Sequence, residues 1–125
     1  MEKKHGLVAL LLLLLLVACD PTDNYGYPSK INFGKEGGTK ICSGRLIVSS
    51  ISINDYNGNG IAELTKDEND TIIAKYYWLT AKFKRLVGPE IKIIAEPNTT
   101  GKKRTLYVYG PIYNDYVTIK VTQDK

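Results

Sequence analysis

Between Arg104 and Thr122 apolar and polar side chains alternate with a period of two. Leu106 and Val108 oppose Tyr107 and Tyr109, while Val117, Ile119 and Val121 oppose Tyr116, Thr118 and Lys120. Successive side chains of a strand point to opposite faces, so the pattern describes two strands, each with one buried and one wet face. Such a face needs a second layer over it. Residues 110–115 join the two runs as a loop of hairpin length, and pairing Tyr109 with Tyr116 places Tyr107, Tyr109 and Tyr116 together on the solvent side. Further strand-like runs, at 31–33, 39–43, 46–53, 71–83 and 90–95, are separated by Gly-, Pro- and Asn-rich turns. About seven short strands in a row predict an all-β fold, an antiparallel β-sandwich.

The amino terminus is a different kind of sequence. Lys3 and Lys4 precede an apolar run of 12 residues from Leu7 to Ala18. A membrane span needs about 20 such residues, so the run fits the core of a secretory signal peptide, removed after export. It ends in Leu16-Val17-Ala18-Cys19, which resembles the lipobox of bacterial lipoproteins. That resemblance implies cleavage after residue 18 and acylation of Cys19. One acyl chain holds a protein to a membrane only marginally, whereas two or three make the anchoring stable. The turn-rich stretch from Asp20 to Ser29 then reads as a flexible tether. Asp20 and Asp23 resemble the acidic signals that route lipoproteins of Bacteroidetes-type bacteria to the cell surface.

Once the leader is set aside, 107 residues remain, enough for one domain. They hold 13 Ile, 10 Thr and nine Tyr against five Leu and four Ala, which disfavours a helical bundle. Their charge is +3, from 15 Lys+Arg against 12 Asp+Glu, too small a field to predict nucleic-acid binding. The one histidine, His5, falls in the leader, so the domain has no imidazole base or ligand. Lipidation of Cys19 leaves Cys42 as the sole thiol, expected as a small buried hydrophobe, and the fold is not built on disulfides.

Several short motifs follow one another in order: Ile31-Asn32-Phe33, Glu36-Gly37-Gly38-Thr39, Trp78-Leu79-Thr80, Asn98-Thr99-Thr100-Gly101 before Arg104, and Ile119-Lys120-Val121-Thr122-Gln123. Together they resemble a BACON domain, the Bacteroidetes-associated module often found near the N-terminus of carbohydrate-active enzymes and lipoproteins. The resemblance covers roughly residues 30–123. It implies an immunoglobulin-like β-sandwich and a role in binding glycans. The chain lacks the extra tryptophan that members often carry before the Trp-Leu motif, and it has an extended segment at 54–70. The resulting organisation is a signal peptide at 1–18, a lipidated tether at 19–29 and a BACON-like sandwich at 30–125.

Four constellations carry chemistry. Tyr107, Tyr109 and Tyr116, with Lys120 beside them, form a candidate carbohydrate platform, because sugar C–H faces stack on aromatic rings. Asp55, Asn57, Asn59 and Glu63 match the first nine positions of a calcium loop, although Lys66 stands at the twelfth in place of a bidentate Glu. Asp70-Thr71-Ile72 fits the short pattern of Bacteroidetes-type O-glycosylation, making Thr71 a candidate. Lys82, Lys84 and Arg85, with Lys102-Lys103-Arg104, are solvated charge or an anion site. Trp78 is expected in the core.

The expectation is a non-enzymatic, cofactor-free binding module anchored by lipid to the outer membrane of the cell envelope, recognising glycan through exposed aromatics. The alternative is a structural spacer or protein-partner subunit of an envelope complex without a small ligand.

Overall fold

A computed structural model describes residues 23–60, 63–67, 69–85 and 87–125, the side chains of 63 and 64 excepted. The signal peptide and Cys19 lie outside the described residues. Among the described residues nine strands form two sheets. The four-stranded sheet has the order β1 (Lys30–Phe33), β9 (Asp115–Gln123), β8 (Arg104–Ile112), β3 (Ser52–Asn54). The five-stranded sheet has the order β2 (Gly38–Ser43), β7 (Glu90–Ala95), β6 (Leu79–Lys84), β5 (Thr71–Tyr76), β4 (Glu63–Lys66). Every pairing is antiparallel except that of β1 with β9. The fold is an all-β sandwich.

One core lies between the sheets. Phe33, Ile53, Leu106, Val108, Val117, Ile119 and Val121 face Cys42, Ala74, Leu79, Ala81, Phe83, Ile91, Ile93 and Ala95. Each fully buried Val, Leu or Ile contributes about 1.5–3 kcal/mol. Cys42 is a buried free thiol, and burial raises its pKa. The chain crosses from β1 to β2 through Gly37 at φ 77°, where an added Cβ would collide with the Ala95 carbonyl oxygen.

Four expectations need correction. The run 71–83 is two strands, because Tyr77-Trp78 makes a two-residue turn between paired Tyr76 and Leu79, with Tyr77 at φ 51°. The run 46–53 keeps only its last two residues in a strand. Upstream of it, Gly44 and Ser49 donate their N–H groups to Pro89 and Pro111 carbonyls, while Val48 and Ile51 plug the core from a loop. The long segment at 54–70 contributes a strand, β4.

The fourth correction concerns the tether, which does not extend to Ser29. Residues 23–29 are docked on the domain. Tyr27 is buried against Gly44, whose lack of a side chain admits the ring, and its hydroxyl donates to the Leu46 carbonyl at 2.7 Å. Asn24 Nδ2 donates to the Thr118 carbonyl at 2.8 Å and its Oδ1 accepts from the Thr118 N–H at 3.0 Å. Asp23 pairs with Arg45.

Candidate glycan-binding face

The outer surface of the four-stranded sheet collects the tyrosines. Buried Val108, Ile119 and Ile53 fix the inward parity of β8, β9 and β3, so Tyr107, Tyr109, Tyr116, Thr118, Lys120, Ser52 and Asn54 all point outward. The register differs from the expected one. The hairpin turn is only two residues, Tyr113-Asn114, which pairs Tyr109 with Thr118 and Tyr116 with Pro111. Tyr109 and Tyr116 are therefore diagonal neighbours, still within reach of aromatic rings.

That diagonal frames a depression of about 420 Å³ lined by Ser52, Asn54, Tyr109, Tyr116 and Thr118. Beyond Tyr116 and Thr118 lies a second depression of about 540 Å³, closed by Asp23, Asn24, Tyr25, Ser29 and Asp115. Tyr107 and Lys120 are paired with each other one row further along, and line neither depression. Tyr107 still extends the platform: its ring stacks with Tyr109 at 6.4 Å between centres and 26° between planes. Tyr116 is 60% exposed, with its ring available to a ligand.

Hydrogen-bonding groups are set around the rings. Tyr25 donates its hydroxyl to Asp115 Oδ2 at 2.9 Å. The backbone N–H of Tyr116, followed by that hydroxyl, holds the Asp115 carboxyl below its ordinary pKa, and the same bond raises Tyr25. Asp115 is thus a fixed acceptor at neutral pH. Ser52, Asn54 and Thr118 add uncharged donors and acceptors. Tyr25, Ser52 and Asn54 were not singled out from the sequence, although Ser50-Ile51-Ser52-Ile53-Asn54 carries the alternation that places two of them.

The other candidates fall elsewhere. Asp55 Oδ1 accepts from the Asn57 and Asn59 N–H groups at 2.9 and 2.8 Å, so this carboxylate closes its own loop. The side chain of Glu63 lies outside the described residues. Among the described residues no three His, Cys, Asp or Glu side chains converge. Thr71 is 8% exposed at the start of β5 and donates its N–H to Asp67 Oδ1 at 3.0 Å, which leaves little surface for a bulky glycan. Trp78 is buried as expected, under Arg104.

Lys82 and Lys84 line a hollow of about 370 Å³ on the opposite sheet with Ile41, Val87 and Lys92, while Asp67 and Glu90 offset part of their charge. It offers no exposed ring to stack a sugar.

An NMR structure of a protein from Bacteroides thetaiotaomicron is similar to this chain, with a TM-score of 0.57 and 19% identity over 77% of this chain and 75% of that one. At that identity the likeness is one of fold. No family model matches the chain, and no curated protein matches it. Among the described residues no helix is long and apolar enough to cross a membrane.

Proposed function

We propose that the chain is a BACON-like, lipid-anchored binding module of the bacterial outer membrane, non-enzymatic, that recognises glycan on the outer face of its four-stranded sheet. The observation that carries the reading is the depression between Tyr109 and Tyr116, edged by Ser52, Asn54 and Thr118. Its volume falls within the range of small-ligand sites, and aromatic walls with a few polar groups are what a sugar ring needs. Both tyrosines stand on the paired strands β8 and β9 and not on a loop, so ligand binding pays little for ordering the site. The lipobox-like Leu16-Val17-Ala18-Cys19 supports the anchor.

Two experiments test the reading. Mass spectrometry of the native protein should find an N-terminal Cys19 carrying acyl chains; a free thiol there contradicts the anchor. A glycan array should give a hit that Tyr109→Ala abolishes. A silent array, with a stoichiometric envelope protein recovered from membranes, favours the spacer or partner-subunit reading.

A further inference from the structure

The end of the sandwich that carries the β8–β9 turn is greasier than the other end. Loop residues Leu46 and Ile47, Pro89, Pro111, Ile112 and the turn residue Tyr113 surround a hollow of about 500 Å³ there. Leu46 and Ile47 are exposed, Val87 is 66% exposed two residues before Pro89, and Tyr113 is 89% exposed at φ 54°. The opposite end, at the β5–β6 turn, exposes Tyr56 and Tyr77, with no large aliphatic side chain exposed among the described residues. Among the exposed aliphatic side chains of the described residues, Ile41 lies on the outer face of the five-stranded sheet, while Leu46, Ile47 and Val87 gather at this end, and such a cluster marks an interaction surface.

The chain's own path selects the occupant. Asp23 is held at this same end, paired with Arg45, while its neighbours Asn24 and Tyr25 are tied to Thr118 and Asp115. Four residue steps separate Asp23 from Cys19, a reach of at most about 14 Å. The sandwich itself is longer, since a nine-residue strand such as β9 spans about 30 Å. An acyl group on Cys19 therefore enters a bilayer beside the Tyr113 end and is too short to let the Tyr77 end face the membrane.

We infer that this apolar end, centred on Tyr113, Leu46 and Ile47, docks on the phospholipid surface next to the anchor. This rests on the anchor reading above. Tyrosine rings favour the headgroup level, and aliphatic side chains enter the acyl boundary. Arg45 and Arg85 sit at the rim; Arg85 donates to the Ser49 carbonyl at 3.0 Å and stays exposed, within the loop set that would meet lipid phosphates. The domain then stands upright as a rigid post. Its tyrosine face looks sideways, parallel to the membrane, and the Tyr77 turn points away.

The two turn tyrosines form a matched pair for the test, because each is exposed and each occupies a left-handed backbone position. The full acylated chain is purified as Tyr113→Trp and as Tyr77→Trp, then reconstituted on phosphatidylethanolamine and phosphatidylglycerol vesicles doped with bromine-labelled acyl chains. The buried Trp78 is a common background. Emission of the indole at position 113 should be lost to bromine quenching while that at 77 is retained. Flotation with equal quenching at both positions, or with none at either, overturns the docking and leaves the anchor standing. Protein that fails to float with the vesicles overturns both.

Discussion

The guanidinium of Arg104 lies over the ring of Trp78, 4.6 Å from its centre, and joins two distant turns of the chain. Its Nε donates to Gln123 Oε1 at 2.8 Å, and Gln123, fully buried, donates in turn to the Gly34 and Glu96 carbonyls at 3.1 and 2.8 Å. Asn98 completes the cluster by donating to the Lys102 and Asp124 carbonyls. Trp78, Asn98, Arg104 and Gln123, scattered in sequence, thus converge at one end of the sandwich. There they satisfy carbonyls that the sheets leave open, a scaffolding role.

Gln123→Leu should destabilise the fold by about 2–4 kcal/mol, because it removes the buried amide's hydrogen bonds to the Gly34 and Glu96 carbonyls and takes the acceptor from the Arg104 Nε–H. Urea unfolding measures this as a lowered midpoint with an unchanged slope. A loss below about 1 kcal/mol would contradict the role given to the cluster.

Lys82 and Lys92 are direct cross-strand partners on β6 and β7. Like charges so placed repel, so Lys92→Glu should raise stability by about 0.5 kcal/mol, and high salt should shrink the gain. Thermal unfolding at low and high ionic strength checks both the sign and its salt dependence.

Gly37→Ala combines a positive φ with a collision against the Ala95 carbonyl. We expect a loss of about 3 kcal/mol or more, well beyond the helix-type cost of exchanging these residues. Gly58→Ala, also at positive φ but with open space around it, should cost only the conformational part, about 1 kcal/mol.

The docked N-terminal segment should respond to acid. The Arg45 side chain, followed by the Tyr25 N–H, lowers the Asp23 pKa, and the Tyr116 N–H with the Tyr25 hydroxyl lowers that of Asp115. Carboxylates depressed in the folded state stabilise it above their unfolded pKa of about 3.9, and that contribution is lost as pH falls through the folded values. NMR titration of the Arg45 and Thr118 amides, which donate to Tyr25 and Asn24, should be flat from neutrality to about pH 5 and move only below about pH 4. Movement near neutrality would contradict the assignment.

Period-two alternation made the two faces of β8 and β9 legible, including which tyrosines face outward, but not their ends or register, because the expected loop at 110–115 shrinks to the turn Tyr113-Asn114. The sandwich followed from the need to cover their inner face. The single strand expected at 71–83 was misread because Tyr77 and Trp78 are aromatic. A turn built from large side chains, with Tyr77 at positive φ, carries none of the Gly or Asn signals that announce one. The docking of 23–29 was hidden for the opposite reason. Its composition is that of a loop, and what ties it down is Asn24 bonding to a strand 94 residues away and Tyr27 entering the space left by Gly44. Half of the tyrosine site was visible for the same reason as β8 and β9. The polar half, Ser52 and Asn54, depends on β3 pairing with β8, a long-range register that the local pattern does not contain.

Isothermal titration of the protein with the glycan that binds on an array is the most direct measurement of whether the tyrosine face is a binding site. Wild-type protein should bind, Tyr109→Ala and Tyr116→Ala should each weaken binding about tenfold or more, equivalent to about 1.4 kcal/mol, and Tyr77→Ala at the far turn should bind as wild type. Equal affinity in wild type, Tyr109→Ala and Tyr116→Ala would contradict the account.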